Sequence, residues 1–249
     1  MKTKKSIPLL SIDFWNTLVD AKDHGELRKK NRTDAIRTLA LSYSLPVEEE
    51  AMMQAHQAVS SRFDEEWFTY QRTMSSEKLA ALYIHHLGIP ATKDECKSLS
   101  VAFEKSLLAG PPPLAPGIRE ALEYISPYYS LAIISDTMFS PGSVIRSYLD
   151  RQQILSYFDA YSFSNETGVS KPHPKAYETA LIATHTKPSN SWHIGDIQRT
   201  DILGAQNIGM KAVLYTGLSD KDKEETTADF ISGKWENIAD YLVSECPLQ

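Results

Sequence analysis

Cysteine is scarce in this chain, which has 249 residues and only 2 cysteines, Cys96 and Cys246. The two lie far apart and neither belongs to a CxxC spacing, so the sequence offers no disulfide framework and no paired-cysteine motif. Two unpaired thiols are typical of a protein in a reducing compartment. We therefore expect a cytoplasmic protein.

Long apolar runs and an excess of positive charge are also missing. The segment Met1 to Lys5 is basic, but the apolar run after it is short and leads into Asp13, which predicts neither a signal peptide nor a membrane span. The formal net charge is −6 and the pI is near 5.7. This acidic balance argues against nucleic acid or an anionic membrane as the main partner.

The first half of the chain carries a helical pattern. From about Gly25 to Leu108, apolar residues recur at helical spacing and strong strand signals are missing. Ser76 and Thr92 are predicted helix N-caps, and Glu95 follows Thr92 in capping-box spacing. The predicted helices cover residues 27–40, 47–68, 76–87 and 92–108.

The second half alternates strands with helices. It begins after Gly110 to Gly117, a proline-rich segment too stiff for a helix interior or a central strand, which predicts a linker. The alternation predicts a parallel sheet with helices on both faces. The run Pro8 to Ile12 belongs to the same sheet, so the helical block is inserted after the first strand. We predict strands at 130–135, 160–163, 192–194 and 211–215, and helices at 118–125, 143–155, 174–183 and 201–208.

Four polar clusters each follow an apolar run. The first pairs Asp13 with Thr17, just after the run that ends at Ile12. In a doubly wound sheet such clusters meet at the carboxyl edge, where α/β proteins build their sites. The other clusters are Ser135-Asp136-Thr137, the segment Glu166 to Pro174 with Lys171, and the segment Gly195 to Asp201 with Asp196.

Together the clusters contain the groups that phosphoryl transfer needs. Asp13 and Asp196 are hard oxygen ligands, and Mg²⁺ typically uses one or two carboxylates together with water and substrate phosphate. Lys171 adds a cation beside a carboxylate nucleophile, and Ser135 or Thr137 can hydrogen-bond a phosphate oxygen. This set indicates phosphoryl transfer through an aspartyl-phosphate.

In their order, the clusters resemble the four motifs of the haloacid dehalogenase superfamily of hydrolases. The D-x-D-x-T motif reads Asp13-Phe14-Trp15-Asn16-Thr17 here. Ser135 matches the Ser or Thr that ends a strand, and Lys171 matches the lysine of K-P-x-P. The segment Gly195 to Asp201 matches the G-D-x-x-x-x-D motif. The resemblance implies that the inserted helices form a C1-type cap that closes over the site.

The resemblance also implies a role for each matching residue. Asp13 would be the nucleophile and a metal ligand, while Ser135 and Lys171 would hold the transferring phosphoryl group. Asp201 would orient Asp196, Lys171 or water. The implied cofactor is Mg²⁺. The predicted metal-site residues are Asp13, Trp15 through its backbone carbonyl, Asp196 and Asp201, and the predicted substrate-binding residues are Thr17, Ser135, Thr137 and Lys171.

Trp15 departs from the family pattern. Phosphatases of the superfamily carry an Asp there, which protonates the leaving group and then activates water, and such help is typically worth ~10²–10⁴-fold. An indole cannot transfer a proton in this way. Asp136 is the predicted replacement, with His173 or a residue of the cap as weaker candidates. The predicted catalytic residues are therefore Asp13, Lys171, Ser135 and Asp136.

Two other features have structural interpretations. The basic run from Arg28 to Arg32 is interpreted as a solvated helix face, with binding of a substrate anion as the alternative. His193 lies inside a predicted strand and is interpreted as a packed histidine.

We therefore expect an α/β fold with a Rossmann-like parallel sheet core, made of residues 1–22 and 109–249, and an inserted α-helical cap at 23–108. The expected activity is Mg²⁺-dependent phosphatase-type chemistry on a small phosphorylated metabolite, weakened by Trp15. One alternative is a 2-haloacid dehalogenase, because dehalogenases of the superfamily also carry an aromatic residue there and release a halide that needs no proton. Another is a catalytically weak protein that binds a phosphorylated ligand. The oligomeric state stays open.

Overall fold

The computed structural model describes residues 7–246, and these fall into two compact units. The α/β unit comprises residues 7–21, 113–136 and 149–246, and the helical unit comprises residues 22–112 and 137–148. The predicted core boundaries assigned 137–148 to the sheet core. These residues instead group with the helical unit, because Met138 and Phe139 pack against its apolar centre. The basic segment Met1 to Lys5 lies outside the described residues.

Within residues 7–246, six parallel strands form one sheet at the centre of the α/β unit, in the order β3-β2-β1-β4-β5-β6. This order confirms the predicted Rossmann-like core, because β2 and β3 extend the sheet on one side of β1 and β4, β5 and β6 extend it on the other. The strands are β1 (Leu9–Ile12), β2 (Ser130–Ser135), β3 (Ala160–Phe163), β4 (Ser191–Gly195), β5 (Lys211–Tyr215) and β6 (Phe230–Ser232).

The central strand β1 explains where the site is built. All four of its residues are buried, as expected for a strand covered by helices on both faces. It pairs with β2 on one side and with β4 on the other, and Asp13 continues this pairing by donating its backbone N–H to the carbonyl of Ile194 at 2.9 Å. The residues after β1 and β4 therefore lie at the switch point, where open α/β sheets bind their ligands.

Two of the four helices predicted for the α/β unit, at 118–125 and 174–183, are confirmed, and the other two differ from the prediction. The predicted helix at 143–155 ends at Arg151, and Gln153 has a positive φ of 58°, which helical backbone excludes. The predicted helix at 201–208 is a π turn, Gln198–Ile202, followed by a single α-helical turn. The helices are α5 (Ile118–Ile125), α6 (Gly142–Arg151), which crosses the unit boundary, α7 (Ser164–Thr167), α8 (Pro174–Ala183), α9 (Leu203–Gln206) and α10 (Trp235–Ser244).

The helical unit has the four predicted helices packed around one apolar cluster. The N-cap predictions were partly correct: Thr92 and Glu95 form the predicted capping box, but the helix that begins at Ser76 is capped by Ser75, whose hydroxyl accepts from the backbone N–H of Lys78. None of the helices in residues 7–246 has the length and apolar composition to cross a membrane. The four helices are α1 (Gly25–Ser42), α2 (Glu49–Phe68), α3 (Ser76–His86) and α4 (Lys93–Ala109).

Arg28 shows that the basic run in α1 is not wholly a solvated face. Lys29 and Lys30 are exposed as predicted, but Arg28 is buried. Its Nη1 donates to the carbonyl oxygens of Asp23 at 3.0 Å and Gly110 at 2.9 Å. The side chain thus ties together the two ends of the inserted block, which explains its burial.

Both cysteines are free thiols, as the sequence predicted. Cys96 is half-buried in the helical unit and Cys246 is buried at the end of α10.

Candidate active site

Five of the predicted site residues lie buried at the carboxyl edge of the sheet. Asp13 follows β1 directly and Ser135 is the last residue of β2, while Asp196 follows β4. Lys171 lies in the loop before α8, and Asp201 belongs to the π turn after β4. None of the five is more than 6% exposed, so their charges interact with little screening by water.

Lys171 joins two of the carboxylates. Its Nζ donates to Asp13 Oδ1 at 2.7 Å and to Asp201 Oδ1 at 2.6 Å. Burial acts to lower the pKa of Lys171, but the carboxylates of Asp13 and Asp201 outweigh it and raise the pKa well above its ordinary value. The ammonium therefore stays charged and holds one oxygen of Asp13 in place.

Asp201 is held by protein groups on both of its oxygens. Besides Lys171, Oδ1 lies 3.1 Å from His193 Nε2, while Oδ2 accepts from the backbone N–H of Ile197 at 3.0 Å and from Thr200 Oγ1 at 3.3 Å. Burial acts to raise the pKa of Asp201, but Lys171 and His193 hold it below its ordinary value. These contacts favour the orienting role of Asp201 over direct ligation of a metal.

The lack of a side chain at Gly195 leaves room for the Asp201 carboxylate. A Cβ atom on residue 195 would lie 2.2 Å from Asp201 Cγ, which is far inside van der Waals contact. The glycine of the fourth motif is therefore required by the close approach of the carboxylate to β4.

Asp13 and Asp196 lie in surroundings that disfavour their ionised forms. Burial and then Asp201 raise the pKa of Asp196 to about 8, and Asp13 adds to this repulsion. Burial likewise raises the pKa of Asp13 to about 7, although Lys171 acts against it. Among the described residues, Asp196 forms no ion pair with Lys, Arg or His. A divalent cation would relieve this repulsion.

The donor set fits Mg²⁺ in particular. No group of three or more His, Cys, Asp or Glu side chains within residues 7–246 could by itself enclose a metal ion. Mg²⁺ rarely uses such a cage, because it keeps several waters and is held by one or two carboxylates plus substrate phosphate. Asp13 and Asp196 match that requirement.

The other predicted catalytic and substrate-binding side chains differ in their hydrogen bonds and in the unit to which they belong. Asp136 Oδ1 accepts the backbone N–H of Lys171 at 2.9 Å, which links the end of β2 to the lysine loop. Ser135 Oγ is buried, and its hydrogen-bond partner among residues 7–246 is the carbonyl oxygen of Asp136, at 3.4 Å. Thr17 is buried and its Oγ1 has no hydrogen-bond partner within the described part of the chain. Thr137 is buried in the helical unit.

Comparison with known families decides the classification. Residues 48–215 match the model of the haloacid dehalogenase-like hydrolases. This chain belongs to that family.

Similar proteins and structures agree with this assignment. A glyceraldehyde 3-phosphate phosphatase of Pyrococcus abyssi is 27% identical over 84% of this chain and 81% of its own length. The corresponding protein of Pyrococcus furiosus is 32% identical over 53% of this chain, a match that spans about half of the relative, 51%. A 2-haloacid dehalogenase structure from Pseudomonas syringae has a TM-score of 0.71 and 21% identity, with 96% of this chain and 99% of that chain covered. A phosphatase structure from Thermococcus onnurineus has a TM-score of 0.67 and 17% identity, with 94% and 97% covered. At these identities the two structures establish the shared fold.

Within this haloacid dehalogenase-like hydrolase, Trp15 occupies the turn after the candidate nucleophile. Its ring is half-buried and meets the Phe14 ring edge-on, with centroids 4.8 Å apart. Asn16, the next residue, has a positive φ of 53°, a conformation that Asn tolerates better than most residues. The turn therefore has an aromatic residue at the second acidic position of the D-x-D-x-T motif. The role of the Trp15 carbonyl as a metal ligand stays a prediction.

His193 is the site residue that sequence reasoning missed. It is packed in β4 as predicted, but it also contacts Asp201, and Ser11 Oγ lies 2.8 Å from its Nδ1. Burial lowers the pKa of His193, which favours the neutral ring. Its position just before the fourth motif was visible in the sequence, but its partner Ser11 lies 182 residues away.

Proposed function

We propose that this chain is a Mg²⁺-dependent phosphatase for a small phosphorylated metabolite, working through an aspartyl-phosphate on Asp13. The observation that carries the proposal is the buried contact of Lys171 with Asp13, next to the unbalanced carboxylate of Asp196. Several similar proteins are named as phosphatases of small phosphorylated molecules, such as glyceraldehyde 3-phosphate and pyrimidine 5′-nucleotides, which supports this class of substrate.

Asp13 performs the first step. Lys171 occupies Oδ1, so Oδ2 is the oxygen that attacks phosphorus. The new Oδ2–P bond forms while the bond from phosphorus to the substrate oxygen breaks, and the leaving oxygen takes up a proton. Lys171 offsets the negative charge on the nucleophile and on the phosphoryl group, and the Ser135 hydroxyl can donate to a phosphoryl oxygen.

Water completes the cycle. Its oxygen attacks the phosphorus of the aspartyl-phosphate, the Oδ2–P bond breaks, and inorganic phosphate leaves while the Asp13 carboxylate is restored. One proton must be supplied to the alcohol and one removed from water. Asp136 is the candidate for both transfers, because Trp15 can perform neither.

The metal would be held by Asp13 and Asp196, with the Trp15 carbonyl as a further oxygen ligand. Bound Mg²⁺ would act as a Lewis acid on the phosphoryl oxygens and offset the repulsion between the phosphate and the two carboxylates.

Phosphate release tests the proposal. The purified protein is assayed on a panel of sugar phosphates, triose phosphates and nucleoside monophosphates, with Mg²⁺ and then with EDTA. We expect turnover of at least one substrate that is lost with EDTA, and a loss of about 10⁴-fold or more in Asp13→Asn. Asp150→Asn is the matched control, because it makes the same change at an exposed position. Unchanged turnover in Asp13→Asn contradicts the proposed nucleophile.

Trp15 supports a second candidate, a 2-haloacid dehalogenase. Here Asp13 would attack the carbon that bears the halogen, the carbon–halogen bond would break with release of halide, and water would hydrolyse the resulting ester. The halide needs no proton, so the missing acid would not matter. Halide release that persists in EDTA and in Asp196→Asn would favour this candidate, whereas dependence on Asp196 and Mg²⁺ favours the phosphatase.

A further inference from the structure

His193 and Ser11 are partners on neighbouring strands. The register of β1 and β4 places Ser11 opposite His193, and both side chains are fully buried. Ser11 Oγ lies 2.8 Å from His193 Nδ1 and 3.1 Å from the carbonyl oxygen of Trp192. A serine hydroxyl has one proton, so it can donate to only one of these two acceptors at a time.

The contact between His193 and Asp201 determines which ring nitrogen carries the proton. Nε2 lies 3.1 Å from Asp201 Oδ1, an oxygen of a carboxylate that only accepts. An unprotonated Nε2 would direct its lone pair at that oxygen, so the contact requires Nε2–H. In the neutral ring Nδ1 is then an acceptor, and the Ser11 hydroxyl, 2.8 Å away, can donate to it.

Asp201 connects His193 through Lys171 to Asp13, the proposed nucleophile. Its Oδ1 accepts from His193 and also from Lys171, whose Nζ reaches Asp13 Oδ1 at 2.7 Å. The contacts thus form a continuous series that begins at Ser11 in β1 and ends at Asp13, directly after β1.

We propose that His193 is a positioning residue: it donates from Nε2 to Asp201, which fixes Lys171 against Asp13, and the Ser11 hydroxyl stabilises this tautomer by donating to Nδ1. The kinetic part of this inference rests on the proposed phosphatase function. Without the His193 proton the Asp201 carboxylate loses one of the donors that fix it, and Lys171 Nζ loses its defined position beside the attacking group.

Two isosteric amides separate positioning from packing. In His193→Gln the amide nitrogen can take the place of Nε2, whereas in His193→Asn it can replace only Nδ1. We expect the Gln variant to keep kcat within about 3-fold of the parent protein, and the Asn variant to lose about 10–100-fold in kcat with KM little changed. In an Asp201→Asn background the same His193→Asn change should have no further effect on kcat.

The matched control is Ser162→Ala, which removes another buried strand hydroxyl, one that donates to the carbonyl of Ala176. Ser11→Ala should lower kcat, and Ser162→Ala should not, at equal loss of thermal stability. Equal kcat losses in the Gln and Asn variants, in proportion to their unfolding temperatures, would reduce His193 to a packing role and overturn the proposal.

A spectroscopic measurement tests the tautomer of the His193 imidazole without any assay of activity. In protein labelled with ¹⁵N-histidine, long-range proton–nitrogen spectra report the tautomer, and His193→Gln identifies the signals by their loss. We expect the Nε2–H tautomer in the parent protein, a mixed population in Ser11→Ala and no change in Ser162→Ala. An Nδ1–H tautomer in the parent would overturn the inference even if phosphatase activity is found. If no phosphatase activity is found, the spectra still decide the contact.

Discussion

The α/β unit buries mainly carboxylates, whereas the helical unit buries arginine side chains. In the α/β unit the buried carboxylates Asp13, Asp196 and Asp201 surround one buried cation, Lys171. In the helical unit the corresponding groups are arginines. Arg28 is buried against two carbonyl oxygens, and the half-buried Arg32 lies with its guanidinium carbon 4.2 Å from the Phe139 ring centroid.

The buried cations of the two units also differ in their partners. Burial lowers the pKa of Arg32 to about 10, and its Nη1 donates to Ser106 Oγ at 3.1 Å, but within the described part of the chain it pairs with no carboxylate. Lys171 instead has two carboxylate partners. Removal of Arg32 should therefore leave no uncompensated charge, whereas removal of Lys171 should.

The largest effect is expected when this cation is removed. Lys171→Met leaves Asp13 and Asp201 without their common partner, so we expect a loss of about 3–5 kcal/mol in the free energy of unfolding and about 10²–10³-fold in kcat. Arg32→Met is the matched change in the helical unit and should cost about 1 kcal/mol or less, mainly through its contact with Phe139. Urea unfolding and steady-state kinetics measure both. Equal losses in the two variants would contradict the comparison.

A gain of activity is expected when a carboxyl group is placed in the turn after the nucleophile. Trp15→Asp supplies the missing acid and base, so we expect kcat to rise by about 10²-fold, the lower end of the usual range of such catalysis. Trp15→Asn makes the same change in size without a group that transfers protons. A rise of equal size in both variants would show that removal of the indole, rather than the proton, is responsible.

A smaller effect follows from the space around Asp201. In Gly195→Ala the new Cβ meets the Asp201 carboxylate, so we expect about 1–3 kcal/mol of destabilisation together with reduced kcat. Gly25→Ala, in the helical unit, meets only the flexible end of Arg28 at 3.8 Å and serves as the control. Thermal unfolding of the two variants gives the comparison, and a fully stable, fully active Gly195→Ala protein would argue against the close approach.

The smallest effect is a dependence of stability on pH. The pKa values of Asp13 and Asp196, about 7 and about 8, lie above the ordinary value of 3.8, so between about pH 4 and pH 8 the folded protein binds more protons than the unfolded chain. The contribution of these two groups to stability therefore falls as pH rises through this window. The lowered pKa of Asp201 acts in the opposite direction, but only below its ordinary value.

Calorimetry at pH 5.5 and pH 8 checks this dependence. We expect the metal-free protein to lose a few degrees of Tm more than Asp196→Asn does between the two pH values. Mg²⁺ should raise Tm more at pH 8, where both carboxylates are ionised, than at pH 5.5. If the Tm of the parent protein and that of the Asp196→Asn variant depended on pH in the same way, the raised pKa of Asp196 would be contradicted.

The sequence alone predicted the parallel sheet, the inserted helices and the cluster of Asp13, Lys171, Asp196 and Asp201. Each of these depends on local patterns: an apolar run that ends in a polar residue identifies a strand end, and parallel strands bring their ends to one edge. The capping box of Thr92 and Glu95 was predictable for the same reason, because its partners lie three residues apart.

Tertiary structure decided the rest. The strand order places Ser11 beside His193, so a histidine interpreted as packing becomes the partner of Asp201. Packing of Met138 and Phe139 assigns 137–148 to the helical unit, and the buried contacts of Arg28 remove it from the solvated face. These outcomes depend on contacts between residues that are distant in the chain, and only the folded backbone determines which of many possible partners actually meet.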